Sequence, residues 1–132
     1  MITSAALFRA IDTVEAYLMD SFNVVVDFDE FGQNEYWIDD RVVTINNSDS
    51  PRDQLYVLLH EAGHVVLRNK EDFNEICIDV DNHRIEVLKE EVLAWEEGRK
   101  IAKKLCIPLD SEWVSGYRKA LRKYVKWVLI ES

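Results

Sequence analysis

Residues 50–68 constrain this chain more than any other stretch. Ser50-Pro51 marks the start of a helix: Ser50 can cap it, Pro51 suits its first position, and Asp53 falls in the first turn beside the positive end of the helix dipole. The helix continues through Leu55-Tyr56-Val57-Leu58-Leu59 to about Arg68 and is apolar on nearly every face, which predicts a buried central helix. Into it are set His60-Glu61-Ala62-Gly63-His64. The chain has 3 histidines, so two of them fall within five residues of a segment that is otherwise poor in polar groups. Two unpaired imidazoles are costly to bury in such a place, and the pattern therefore calls for a shared partner.

Residues four apart on a helix lie one turn apart on one face, so His60 and His64 can reach a single metal ion. Glu61 projects about 100° away and can lean over a water held by that metal. A catalytic zinc takes three protein ligands and keeps one position open, and a carboxylate beside it accepts a proton as water attacks a carbonyl. The motif supplies two ligands, His60 and His64, and one candidate base, Glu61. One zinc per chain is expected. The alternative is a pair of core histidines satisfied by backbone or carboxylate groups.

The third ligand must come from elsewhere. His83 is the only other histidine, and the segment Lys89-Glu90-Glu91-Val92-Leu93-Ala94-Trp95 offers two carboxylates on a later helix. Glu91 shares a stripe with Ala94 and Gly98, small residues that let two helices approach closely. Glu90 shares its stripe with Ala94, Glu97 and Ile101, and would turn the charged Glu97 inward without a partner. Glu91 is thus the expected third ligand and Glu90 the second choice, with only one of them facing the metal on a regular helix.

The rest of the chain reads as a single α+β domain over residues 1–132. Leu7, Ile11, Val14 and Leu18 give Thr3–Phe22 one apolar helical face. Asn23–Phe28 is a β-branched run, and Tyr36–Ile38 and Val42–Ile45 form a hairpin about the tight Asp39-Asp40-Arg41 connection. A short strand is expected at Ile76–Val80, a helix at Ile85–Leu105 ended by Pro108, and a last helix from the Asp110-Ser111 cap to about Ile130. On that helix Trp113, Tyr117, Tyr124 and Trp127 make an aromatic stripe, read as core packing, although one tyrosine can instead stabilise an oxyanion. His83 can also serve that role, and Arg84 is expected to pair with neighbouring acids.

Composition excludes several classes. No apolar run reaches the roughly 18 residues that span a bilayer, and Met1–Ala10 lacks the pattern of a secretory signal. Two cysteines, Cys77 and Cys106, are too few for a disulfide framework and are expected to be reduced thiols in a cytoplasmic protein, Cys106 in the core. The net charge of −9 is uneven: residues 1–98 carry seven basic against 22 acidic residues, and residues 99–132 nine against three. The basic C-terminal helices are either a solvated face or a docking patch for an acidic partner. Nucleic acid is disfavoured by the total charge.

Two stretches resemble a known family. Asp40-Arg41-Val42-Val43-Thr44-Ile45-Asn46, followed by Asp53 through Leu67 with its His60-Glu61-Ala62-Gly63-His64, is similar to the ImmA/IrrE family of small zinc metallopeptidases. That family has an I-x-I-N strand and then HExGHxxLH. Glu91-x-x-Ala94 and Ile101-Ala102-Lys103-Lys104-Leu105-Cys106-Ile107-Pro108 resemble its following ExEAxxFAxxLLxP, while Arg68 stands where the family often has histidine. The segment from Glu90 to Trp127 is also similar to metallopeptidase-like proteins encoded by bacteriophages. The resemblance implies a compact gluzincin-like fold, a small mostly antiparallel sheet on the central helix, with His60, His64 and Glu91 as zinc ligands. It further implies a protein or peptide substrate laid along Val42–Ile45 as the sheet edge. The rival is a catalytically silent zinc-containing protein that inhibits or recruits a partner through its charged surfaces.

Overall fold

The computed structural model describes residues 2–74 and 82–130. Its elements run α1 (Ser4–Phe22), β1 (Val25–Phe28), β2 (Glu35–Trp37), β3 (Val42–Ile45), α2 (Pro51–Arg68), α3 (His83–Lys104) and α4 (Ser111–Leu129). The architecture is α+β, a minimal zincin-like domain, as expected. The strand expected at Ile76–Val80 lies outside the described residues. None of the helices is long and apolar enough to cross a membrane, among the described residues.

α1 buries the stripe read from its spacing, Leu7, Ile11, Val14 and Leu18. Thr3 caps its start by accepting the Ala6 amide. Asn23 ends it in the left-handed region, at φ 55°, a conformation that asparagine tolerates better than most residues. The chain then turns into β1.

The sheet has the order β1-β3-β2. β2 and β3 pair antiparallel, Glu35 opposite Thr44 and Trp37 opposite Val42, which is the expected hairpin. β1 pairs parallel with β3, from Val25 opposite Val42 to Phe28 opposite Ile45, so the sheet is mixed. This overturns the assignment of Val42–Ile45 as the sheet edge. β3 is the central strand, and Val43 and Ile45 are fully buried under α2 and the neighbouring strands. The edges are β1 and β2.

α2 crosses the middle of the molecule, capped by the Ser50 hydroxyl as expected. α3 packs on it at very close range. A methyl group on Gly63 would collide with the Ala94 carbonyl, and one on Gly98 would lie 2.7 Å from the Leu59 carbonyl oxygen. Gly63, Ala94 and Gly98 thus let the two backbones touch, and this contact brings α3 within side-chain reach of the two histidines. Glu97 also points inward, contrary to the expectation that it would face solvent. It finds a cation there: Lys70 Nζ donates to it at 2.7 Å, with Lys100 at 3.5 Å.

α3 ends at Cys106, which is left-handed at φ 59°. The Cys106 amide donates to the Lys103 carbonyl and the Ile107 amide to the Ala102 carbonyl, the paired bonds of a Schellman turn. That turn swings Ile107 into the core and leaves Cys106 exposed, correcting its expected burial. α4 then starts at Asp110, whose carboxylate accepts the Glu112 amide and the Tyr56 hydroxyl.

Candidate metal centre

α2, α3, α4 and the β2 edge enclose a cleft of about 400 Å³. His60, Glu61, His64 and Arg68 enter from α2, Glu90 and Glu91 from α3, Tyr124 from α4 and Tyr36 from β2. The His60 ring stacks on Trp95 at 4.5 Å between centroids, with the planes 18° apart, so its orientation is held by the core. The His64 ring lies 4.8 Å from that of His60.

One carboxylate joins the two rings. Glu91 Oε2 is 2.8 Å from His60 Nε2, and its Oε1 is 3.0 Å from His64 Nε2. Glu90 takes the other side of His64, with Oε2 2.7 Å from Nδ1. Arg68 donates to both Glu90 oxygens, at 3.1 and 2.6 Å, a forked pair that fixes the carboxylate plane. Glu91 alone lies where the two Nε2 atoms converge, and Glu90 reaches the opposite edge of His64. An imidazole has nitrogens on two edges, and carboxylates 100° apart on one helix can each reach a different edge.

Glu61 is buried, with Oε2 3.3 Å from His60 Nδ1. Burial pushes its pKa up, against the opposing pull of His60 and His64. Burial alone would also lower the His64 pKa and raise that of Glu91. The hydrogen bonds that His64 gives to Glu90 and Glu91 outweigh it for His64, and those from His60 and His64 outweigh it for Glu91, so His64 is held well above its ordinary value and Glu91 well below. Glu90 is likewise held low by His64 and Arg68 in spite of its burial.

Two imidazoles and a facing carboxylate form a donor set suited to a cation. His60, Glu61 and His64 each offer a ligand atom within 4.8 Å of the others. Glu91 touches the Nε2 atoms of both histidines, so the site also has a further oxygen donor where those nitrogens converge. The chemistry of these groups fits a divalent metal.

Of the aromatic stripe on α4, only Tyr124 reaches the cleft. Burial and then the facing Glu91 and Glu61 carboxylates push its pKa up to about 12. Trp113 is in the core, and Tyr117 stacks on Trp95 and donates to the Val92 carbonyl at 3.4 Å. His83 lies away from the site, exposed and 3.8 Å from Glu86. Arg84 is beside it and, among the described residues, donates to the Trp127 and Ile130 carbonyls at the end of α4. Arg68 and Tyr36 were not singled out from sequence. Arg68 could have been, because it follows His64 by one turn on the same helical face.

A histidine pair on a buried helix, a glutamate facing both rings from a second helix and a short sheet beside them define a zincin-type metallopeptidase-like domain. The chain matches the Peptidase M78 family, described as the IrrE N-terminal-like domain, over residues 13–111. That is three-quarters of its length, and the chain belongs to this family. The match includes α2 and α3 whole and stops where α4 begins. No curated protein and no solved structure matches the chain significantly.

Proposed function

We propose that the chain is a zinc metallopeptidase that cleaves a specific protein substrate. The observation that carries this reading is the single Glu91 carboxylate bonded to both His60 Nε2 and His64 Nε2, with the buried Glu61 alongside. His60, His64 and Glu91 would hold the metal. Zinc, when bound, supplies Lewis acidity that polarises a carbonyl and makes water nucleophilic near neutral pH.

The protein's own groups do the rest. Glu61 Oε accepts a proton from the attacking water and passes it to the departing amine, a role suited to a carboxylate whose pKa burial has raised. Tyr124 lines the same cleft and donates a hydrogen bond from its hydroxyl to the oxyanion as charge develops. Glu90 fixes the tautomer and plane of His64 through Nδ1, and Arg68 holds Glu90 in turn.

The substrate adds to the sheet at β2 rather than at the buried β3. β2 is an edge strand, and its residues Glu35 and Tyr36 line the cleft. An extended peptide laid along that edge brings its carbonyls over the histidines, held by main-chain bonds that are indifferent to its side chains.

The test is Glu61→Gln. The amide keeps the size and the neighbours but cannot accept the proton. Zinc content and unfolding temperature should stay near native, and cleavage of a peptide library should fall at least about 100-fold. Undiminished cleavage would remove Glu61 from the mechanism. A second reading, a non-catalytic zinc-holding protein that recruits a partner, draws on the exposed basic face of α4. It requires that the native chain cleave nothing in that library.

A further inference from the structure

α4 carries two faces, and only one is used within the chain. Trp113, Tyr117, Tyr124 and Trp127 turn toward the body of the molecule. Flanking that face, Val114 is 45% exposed, Val125 41% and Leu129 75%, with Leu121 and Val128 half-buried beside the aromatic rings. Two shallow grooves run along this side, one between Val114 and Arg118, the other between Leu121 and Val125, with Arg122 bordering both.

The spacing of this outer face is informative. Positions 114, 118, 121, 125 and 128 follow one another at steps of four, three, four and three. That is the seam of a coiled coil, with Val, Leu, Val and Val at four positions and Arg118 at the fifth. Basic residues flank the seam, and α4 holds five of them against one acid, Glu112. The cations that do form ion pairs with carboxylates among the described residues are Arg52, Arg68, Lys70, Arg99 and Lys100, all outside α4.

We propose that the outer face of α4 is a docking surface for an acidic amphipathic helix of a partner protein. The heptad steps select a helix, and the charge selects its sign: aliphatic residues would seat along Val114, Leu121 and Val125 while glutamates or aspartates meet Arg118 and Arg122. A bilayer is a poorer fit. The seam is narrow and has an arginine in it, and the aromatic residues that anchor interfacial helices are on the other face. A second copy is disfavoured because it would set Arg118 and Arg122 against like charges. Phosphate backbones would leave the aliphatic seam unused. The proposal does not depend on the metal centre.

The test uses a fluorescein-labelled peptide of three heptads with leucine at the two seam positions and glutamate at the flanking positions. Repulsion between its glutamates opposes pairing with itself. Fluorescence anisotropy with the native chain should show saturable binding. It should weaken at least about tenfold in the Arg118→Glu, Arg122→Glu double variant and again in Val125→Asp. A peptide with lysine at the flanking positions should restore binding to the double variant. The proposal is overturned by equal binding of a scrambled peptide of the same composition, or by no response to charge reversal. It is equally overturned by tighter binding to phosphatidylserine vesicles or duplex DNA, or by sedimentation showing that copies of the chain pair through α4.

Discussion

α2 and α4 are nearly equal in length, 18 and 19 residues, yet ten residues of α2 are buried and one of α4 is. α2 is surrounded, by the sheet, α1 and α3, so almost every position is fixed by a neighbour. Its polar residues survive only where a partner waits for them: His60 and His64 on Glu91, and Gln54 on the Asp49 carbonyl. α4 lies on one side of α3, tied at its start by Asp110 and Tyr56 and along one face by aromatic rings. The contrast separates two uses of a helix. One holds a reactive cluster at the wall of a cleft, each group fixed by a neighbour. The other keeps a charged surface available.

The two helices should therefore respond to substitution on different scales. Gly63→Ala is the most severe. Its methyl meets a backbone carbonyl of α3, which cannot rotate aside, so the helices must separate. The expected loss is about 3 kcal/mol of stability, at the upper end for overpacking, together with weaker metal binding because Glu91 withdraws. A denaturant midpoint unchanged by this substitution would mean that the helices are not in contact at Gly63.

Asp110→Ala tests the joint between the two helices and should cost about 1 kcal/mol, the usual loss for a helix cap. The Tyr56 hydroxyl, which donates to it, is the main reason that the Asp110 pKa is depressed. A depressed folded value means that this contribution is complete above the unfolded carboxylate value, near ~3.9, and is lost as pH falls through the lower folded value. Tyr56→Phe should therefore flatten the stability profile below about pH 4. An unaltered acid limb would leave the pair without a role there. Smallest of all, Arg122→Ala on the outer face of α4 should shift stability by less than about 0.5 kcal/mol. A larger loss in the isolated chain would show that this face is already packed.

Much of α2 was legible because its signals are local. Ser50-Pro51 sets the start, the apolar run sets burial, and the spacing of His60 and His64 sets their common face. The Glu91–Ala94–Gly98 stripe also predicted the close approach of α3, since small residues at helical spacing have few other uses. What could not be read depended on pairs distant in sequence. Alternation in Val42–Ile45 marks a strand but not its neighbours, and β1 adds to it in parallel from a position before the hairpin. Glu97 was expected outside because its partner Lys70 lies 27 residues away. Cys106 was taken for core from its apolar neighbours, whereas a left-handed residue at a helix end turns its own side chain out. The second carboxylate, Glu90, was missed as a simultaneous contact because counting helix faces ignores the two edges of an imidazole.

The central claim is that α2 and α3 meet so that His60, His64 and Glu91 share one metal. It is tested most directly by titrating purified chain with Co²⁺ as a spectroscopic substitute for zinc and comparing Glu91→Ala with Glu90→Ala. The native chain should take up one equivalent and develop the visible absorption of a low-coordinate nitrogen and oxygen site. Glu91→Ala should lose that absorption and most of its affinity. Glu90→Ala, which removes the bond to His64 Nδ1 and the forked pair with Arg68 but no ligand, should keep the spectrum and bind about 10- to 100-fold more weakly. Equal losses in the two variants, or the larger loss in Glu90→Ala, would contradict the account.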